Sequence, residues 1–225
     1  MKTKDVIAID GPAGSGKSTI AKLVAKRAGL SYLDTGAMYR ALTLAAIKSN
    51  VDLSSDSAIL NIAKNLELEL FYEDGKSSVY LEGKNVSDEI RLSLVNDNIS
   101  RISEVSEVRN IMVLKQRELA KNGAVVEGRD IGTVVFPSAK YKFYIDADFD
   151  IRVERRYKEM KGNNVVVSRE EVVADLSKRD ISDKSRVHGP LVKADDAMVI
   201  DTTAMTIDEV VDLTISSLGD RDGSQ

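Results

Sequence analysis

Five short apolar runs punctuate the chain: Val6-Ile7-Ala8-Ile9-Asp10, Ser31-Tyr-Leu-Asp34, Ala124-Val-Val-Glu127, Tyr141-Lys-Phe-Tyr-Ile-Asp146 and Met198-Val-Ile-Asp201. Each has the length and residue type of a buried strand. Stretches of helical period separate them. The first runs over 17–27 and stops near Gly29. The second opens at Thr35 and places Met38, Ala41, Leu42 and Ala45 on one face. A polar turn at 52–57 leads into a short helix through 65. Residues 88–120 read as two or three helical pieces ended by Gly123, and 151–161 as a strongly basic helix. Gly162-Asn-Asn marks a loop. Ser168-x-x-Glu171 and Thr206-x-x-Glu209 are capping boxes that open two more helices. The last of these runs to about 218, and 219–225 reads as a disordered tail. Strands that alternate with helices predict an α/β fold, a five-stranded parallel sheet flanked by helices.

One region breaks this alternation. Leu66, Leu68 and Leu70 alternate with charged residues, Asp74-Gly75 turns the chain, Val79 and Leu81 alternate again, and Gly83-Lys84-Asn85 precedes Val86. This is the pattern of a small antiparallel meander. It reads as an insertion, about 66–87, on the edge of a single domain whose core is about 1–65, 88–150 and 190–218.

The first strand runs into Gly11-Pro-Ala-Gly-Ser-Gly-Lys-Ser18, which fits G-x-x-x-x-G-K-S/T between a strand and a helix, the context such a phosphate loop requires. Glycines let successive N–H groups converge on one anion, and the helix adds its positive end. Lys17 is placed to reach the β- and γ-phosphates of a nucleoside triphosphate, and the Ser18 hydroxyl to ligate Mg²⁺.

Composition narrows the remaining chemistry. The 225 residues contain no cysteine and one histidine, which excludes thiolate catalysis, disulfides and Cys–zinc sites and argues against a His triad. Net charge is −4, aromatics are 5% and tryptophan is absent, against a nucleic-acid partner. No apolar run approaches a membrane span and the N-terminus lacks a signal-peptide core, so a cytoplasmic location is expected. Arginines are the remaining clue. Arg40, Arg109, Arg129, Arg179 and Arg186 lie at or beside predicted strand ends, loops or polar helix starts. Guanidinium forks of this kind offset repulsion between two phosphorylated substrates. Arg152, Arg155 and Arg156 share one face of the basic helix, suited to a lid, about 151–189, that closes over ATP.

Four motifs then resemble bacterial cytidylate kinases: Ile9-Asp-Gly-Pro-Ala-Gly-Ser-Gly-Lys-Ser18, Leu33-Asp-Thr-Gly-Ala-Met-Tyr-Arg40, Glu127-Gly-Arg-Asp-Ile-Gly-Thr-Val-Val-Phe-Pro137 and Arg179-Asp-x-x-Asp-x-x-Arg186. They occur in the family's order over nearly the whole chain. The second and third are specific to it, whereas the phosphate loop is not. The resemblance implies a P-loop nucleoside monophosphate kinase fold, a monomer, and transfer of the γ-phosphate of MgATP to CMP or dCMP. It implies that Gly11, Pro12, Ala13, Gly14, Ser15, Gly16, Lys17, Ser18 and Thr19, with Arg152, Arg155 and Arg156, bind ATP. Thr35, Arg40, Ser100, Arg109, Arg129, Asp130, Arg179, Asp183 and Arg186 bind CMP, and Lys17, Arg129, Arg155 and Arg156 are catalytic. The chain departs from the family at Thr35, where many relatives carry Ser, and at Glu127, where they often carry Asp; His188 is given no role.

Two other readings remain from the residues alone. One is a P-loop kinase of another anionic acceptor such as UMP, AMP or shikimate, although shikimate-type kinases are shorter and lack a meander. The other is a non-catalytic nucleotide-binding regulatory module. A GTP-dependent switch would carry an Asn/Thr-Lys-x-Asp signature after a strand, and the nearest string, Val192-Lys-Ala-Asp195, lacks both the first residue and the strand.

Overall fold

A computed structural model describes residues 5–73, 75–162 and 165–220. In chain order the elements are β1 (Val6–Asp10), α1 (Lys17–Ala28), β2 (Ser31–Asp34), α2 (Thr35–Lys48), α3 (Asp56–Lys64), β3 (Leu68–Glu73), β4 (Lys76–Leu81), β5 (Lys84–Asn85), α4 (Ser93–Glu104), α5 (Ser106–Leu119), β6 (Ala124–Gly128), β7 (Tyr141–Asp146), α6 (Phe149–Gly162), α7 (Arg169–Ser185), β8 (Met198–Asp201) and α8 (Ile207–Asp220). A 3₁₀ turn covers Glu89–Arg91 and a π-helical turn Ile131–Val135.

Five strands form one parallel sheet in the order β2-β6-β1-β7-β8. The central strand shows why both faces are covered. Ile7 and Ile9 point into a core with α1 and α8, while Ala8 points the other way, into the larger core of α2, α3, α4 and α5. On β6, Val125 joins the first core and Ala124 and Val126 the second. Because neighbouring strands start together, their carboxyl ends line up: Asp10 pairs with Gly128 in register, and Asp34 with Glu127. The loops that leave these ends therefore meet at one edge of the sheet.

The inserted meander is an antiparallel sheet, β3-β4-β5. It lies beside the edge strand β2, with the Tyr72 ring 5.0 Å from that of Tyr32 and its hydroxyl donating to the Lys22 carbonyl at 3.3 Å. Residue 74 of its turn lies outside the described residues. The α6–α7 pair forms a small core of its own, in which Val153, Val172 and Leu176 enclose Ala13 of the glycine loop. Ser168 caps α7 in a complete capping box.

Three expectations need correction. The tail begins later than 219, because Gly219 and Asp220 continue α8; residues 221–225 lie outside the described residues. The basic helix begins at Phe149 rather than 151. Gly162, expected in a loop at 162–164, is instead the last residue of α6; Asn163 and Asn164 lie outside the described residues. Among the described residues, no helix is long and apolar enough to cross a membrane.

Candidate active site

The glycine loop joins β1 to α1 at the centre of the sheet edge. A Cβ on Gly11 would fall 2.1 Å from the Ile145 carbonyl oxygen, so only glycine lets the loop pass β7 there. Gly16 caps α1 with φ 89°, in the left-handed region. Lys17 is buried and donates to the Pro12 carbonyl at 3.2 Å. Burial, reinforced by Arg129, lowers its pKa to about 8.

Beside it, the ends of β2 and β6 form an acidic pair. Glu127 is buried; its carboxylate receives the Ser18 hydroxyl at 2.8 Å and the Tyr32 hydroxyl, and its carbonyl receives the Thr35 hydroxyl at 2.7 Å. Burial pushes the Glu127 pKa up, and Asp34 adds to the effect. Asp34 caps α2 by accepting from the Ala37 N–H at 2.8 Å, and accepts from Arg40 at 3.1 Å. Burial opposes ionisation of Asp34, but Arg40 and the Ala37 N–H hold its pKa below the usual value. Thus Thr35 and Arg40 are both set by the helix that starts directly after β2.

Asp10 organises the loop after β6. Its two carboxylate oxygens accept the N–H groups of Ile131 and Gly132, each at 2.8 Å. Burial outweighs these bonds and raises its pKa to about 6. The π-helical turn that results had no periodic signal in the sequence. It presents Arg129 and Asp130 to opposite partners. Arg129 Nε donates to Asp183 on α7 at 2.6 Å. Asp130 accepts from Arg109 on α5, and Arg186 lies 3.8 Å from its other oxygen. Arg186 is also 3.5 Å from Asp183. Burial works against the Asp183 charge, yet Arg129 and Arg186 keep its pKa low.

Two adjoining cavities follow. The larger, about 510 Å³, extends from Ala13–Thr19 past Arg155, Arg156 and Thr202 to Met205, Ile207 and Val210. The smaller, about 150 Å³, is lined by Thr35, Tyr39, Asn96, Ser100, Ser103, Arg109, Asp130, Asp183 and Arg186, among others. Both share Lys17, Ser18, Asp34, Arg40, Arg129 and Arg179. A row of cations thus stands where the two spaces meet.

Most residues singled out from the sequence converge here, but not all. Arg152 lines neither cavity. It is buried, its fork engaged by Asp180 at 2.7 and 3.2 Å and by the Ala13 carbonyl at 3.0 Å, so it braces the glycine loop from behind. Gly11 and Pro12 also lie behind the cavity wall. Arg155 reaches it while donating to Thr202 Oγ1 (2.8 Å), the Thr202 carbonyl (2.7 Å) and the Ser15 carbonyl (3.3 Å). Arg156 pairs with Glu159 at 2.9 Å, and Arg179 with Asp175 at 3.0 Å. Sequence reasoning missed the segment from Thr202 to Val210 and the residues Tyr39, Asn96, Ser103 and Arg91. The first lies in a capping region that reads as an ordinary helix start; Tyr39 sits inside the Leu33–Arg40 motif but was given no role of its own, and Asn96, Ser103 and Arg91 carry no local motif.

The cytidylate kinase family model matches residues 7–219. The chain is 45% identical over 214 residues to a cytidylate kinase of Clostridioides difficile, spanning 95% of this chain and 97% of that one. Over 217 residues it is 46% identical to a cytidylate kinase of Desulforamulus reducens, with 96% and 97% spanned. A cytidylate kinase of Geobacter sulfurreducens is 41% identical over 218 residues, with 96% and 94% spanned.

Proposed function

The chain belongs to the cytidylate kinase family and transfers the γ-phosphate of ATP to CMP or dCMP, and we propose that the two adjoining cavities divide that reaction between them. ATP occupies the larger, its phosphates in the Ala13–Thr19 loop and its base against Met205, Ile207 and Val210. CMP occupies the smaller. The observation that carries this reading is the shared wall of Lys17, Arg40, Arg129 and Arg179. Phosphoryl transfer needs donor and acceptor phosphates held in line, with their repulsion offset by fixed positive charge.

The residues divide by chemistry. Lys17 turns from the Pro12 carbonyl to the β- and γ-phosphates. Arg40 and Arg129 hold the CMP phosphate. Asp183 accepts from ribose hydroxyls, with Arg179 beside it. Asp130 and Ser100 accept from the cytosine amino group, and Arg109 donates to the ring acceptors. Uracil would set a carbonyl against Asp130, a buried mismatch that costs on the order of 1–3 kcal/mol. Arg155 and Arg156 bear on the transferring phosphoryl group from the lid. The phosphate acceptor is already anionic at neutral pH, so no dedicated protein base is required.

The oxygens around Ser18 suit a hard divalent cation: a hydroxyl that, among the described residues, is partnered only by a buried carboxylate, with Asp34 in register beside it. Ser18 would hold Mg²⁺ together with the nucleotide phosphates. When bound, the ion supplies charge neutralisation across the β- and γ-phosphates. We take the enzyme to act as a monomer in the cytoplasm on these two small-molecule substrates.

The test is ADP release with MgATP and CMP, dCMP, UMP, AMP or GMP as acceptor. Rapid turnover restricted to CMP and dCMP is expected. Equal slow hydrolysis with every acceptor would refute the assignment of the smaller cavity.

A further inference from the structure

Glu127 is 2% exposed, and among the described residues no lysine or arginine pairs with it. Two hydroxyls hold its carboxylate, one on each oxygen: Ser18 donates to Oε2 at 2.8 Å, and Tyr32 donates to Oε1. The two donors differ in kind. Ser18 is exposed to the cleft, at the start of α1. Its bond disposes of the hydroxyl proton and leaves the oxygen lone pairs for a cation. Tyr32 is buried in the edge strand β2, at the wall of the ATP-side cavity, and grips the carboxylate from the other side.

The terminal torsion of a glutamate is broad, so one hydrogen bond does not fix the plane of its carboxylate, whereas a bond on each oxygen does. Tyr32 is itself held firmly enough to serve as that second anchor. Its ring lies 5.0 Å from the Tyr72 ring of the meander at an interplanar angle of 60°, and the Lys22 ammonium stands 5.6 Å from its centroid. The Tyr72 hydroxyl ties the pair to α1 through the Lys22 carbonyl, at 3.3 Å. Burial and the Glu127 charge push the Tyr32 pKa up, so the phenol stays protonated and meets Glu127 only as a donor.

We infer that Tyr32 is a positioning residue for the cation at Ser18: its hydroxyl keeps the Glu127 carboxylate turned to take the Ser18 proton. This rests on the assignment of Mg²⁺ to Ser18. In this role Tyr32 touches neither the cation nor the nucleotide, so its loss weakens what the cation adds to nucleotide binding and leaves metal-free binding as it was. It acts through Glu127 alone, and matters only while Glu127 can accept from Ser18. Phenylalanine in its place keeps the ring against Tyr72 and removes only the donor.

The experiment is calorimetric titration with a non-hydrolysable ATP analogue, once in Mg²⁺ and once in EDTA, of wild type, Ser18→Ala, Tyr32→Phe, Glu127→Gln and the double variant of the last two. The readout is the ratio of the two affinities. Groups that hydrogen-bond a metal's ligands carry about 10- to 100-fold in metal affinity, and Tyr32 stands one bond further out, so Tyr32→Phe is expected to cut the ratio by about three- to tenfold. Its affinity in EDTA should stay within about twofold of wild type, which also reports that the variant is folded. Glu127→Gln lowers the ratio by itself, and adding Tyr32→Phe to it should change the ratio by less than about twofold. An unchanged ratio in Tyr32→Phe, an equal loss with and without Mg²⁺, or the same loss in both backgrounds overturns the inference. A ratio that Ser18→Ala leaves at the wild-type value overturns the assignment of the cation to Ser18, and this inference with it.

Discussion

Asp130 and Arg109 meet at the floor of the smaller cavity, their side chains only 8% and 5% exposed. Neither has water to fall back on. Removing one partner leaves the other a buried charge with only a longer contact, Arg109 to the Ser103 carbonyl at 3.3 Å or Asp130 to Arg186 at 3.8 Å, at a cost of up to roughly 3–5 kcal/mol for a buried pair. Asp130→Ala should therefore lower both the melting temperature and turnover, and by itself would not separate folding from recognition. Asp130→Asn keeps the shape and replaces one carboxylate oxygen by an amide donor. If Asp130 reads the base as proposed, its kcat/KM ratio for CMP over UMP should fall by about 10- to 100-fold, because the acceptor facing the amino substituent has changed. An unchanged ratio would remove Asp130 from base recognition.

Lys17 supplies a pH signature. Burial, aided by Arg129, sets its pKa at about 8 in the unliganded enzyme, well below its ordinary 10.5. A nucleotide phosphate favours the charged amine, so binding above about pH 8 must take up a proton. Affinity for a non-hydrolysable ATP analogue should hold below that pH and decline above it. Titrations in two buffers of different ionisation enthalpy should show proton uptake near pH 8.5, and Lys17→Met should show none.

Asp10 supplies a second, in stability rather than binding. Its pKa is raised by burial from 3.8 to about 6. For an acid shifted upward, the folded state binds more protons than the unfolded state between those values, so stability falls as pH rises through that window. The shift corresponds to roughly 3 kcal/mol. Asp10→Asn cannot ionise. Whatever its absolute stability, it should gain on wild type by about 2 kcal/mol of this between pH 4 and pH 6 in urea denaturation. Parallel curves would mean that Asp10 titrates normally.

The parallel core was legible because its strands are short apolar runs bounded by turns: four of the five match the reading at both ends, and the fifth, β6, runs one residue further, to Gly128. The meander was legible from period-two alternation at Leu68, Leu70, Val79 and Leu81. The glycine loop and the Gly128-Arg129-Asp130 turn announce themselves because backbone geometry demands particular residues there. What local sequence does not encode is which long side chain meets which. Arg152 sits on the same helix as Arg155 and Arg156, yet three positions along it decides between bracing Ala13 and facing the cleft. The π-helical turn was illegible for the same reason: it is held by Asp10, more than a hundred residues away in sequence. Arg91 has no motif, and only folding brings it beside Arg40.

Arg155 and Arg156 are adjacent in sequence and bound differently, and this separates two contributions proposed for α6. Arg155 joins α6 to the end of β8 and to the glycine loop through three oxygens, on Thr202 and Ser15. Among the described residues Arg156 makes one ion pair, with Glu159, whose side chain is 52% exposed, and its Nε is buried without a partner. Exposed pairs contribute about 0–1 kcal/mol, so Arg156→Ala should leave the melting temperature nearly unchanged. If its free donor serves the transition state as proposed, kcat should fall by about 10- to 1000-fold with little change in KM for CMP. Arg155→Ala should lose kcat and also lower the melting temperature by several degrees, since the Thr202 and Ser15 oxygens lose a shared donor. Equal melting temperatures for the two variants would contradict the structural role of Arg155. Undiminished kcat in Arg156→Ala would remove the lid from phosphoryl transfer.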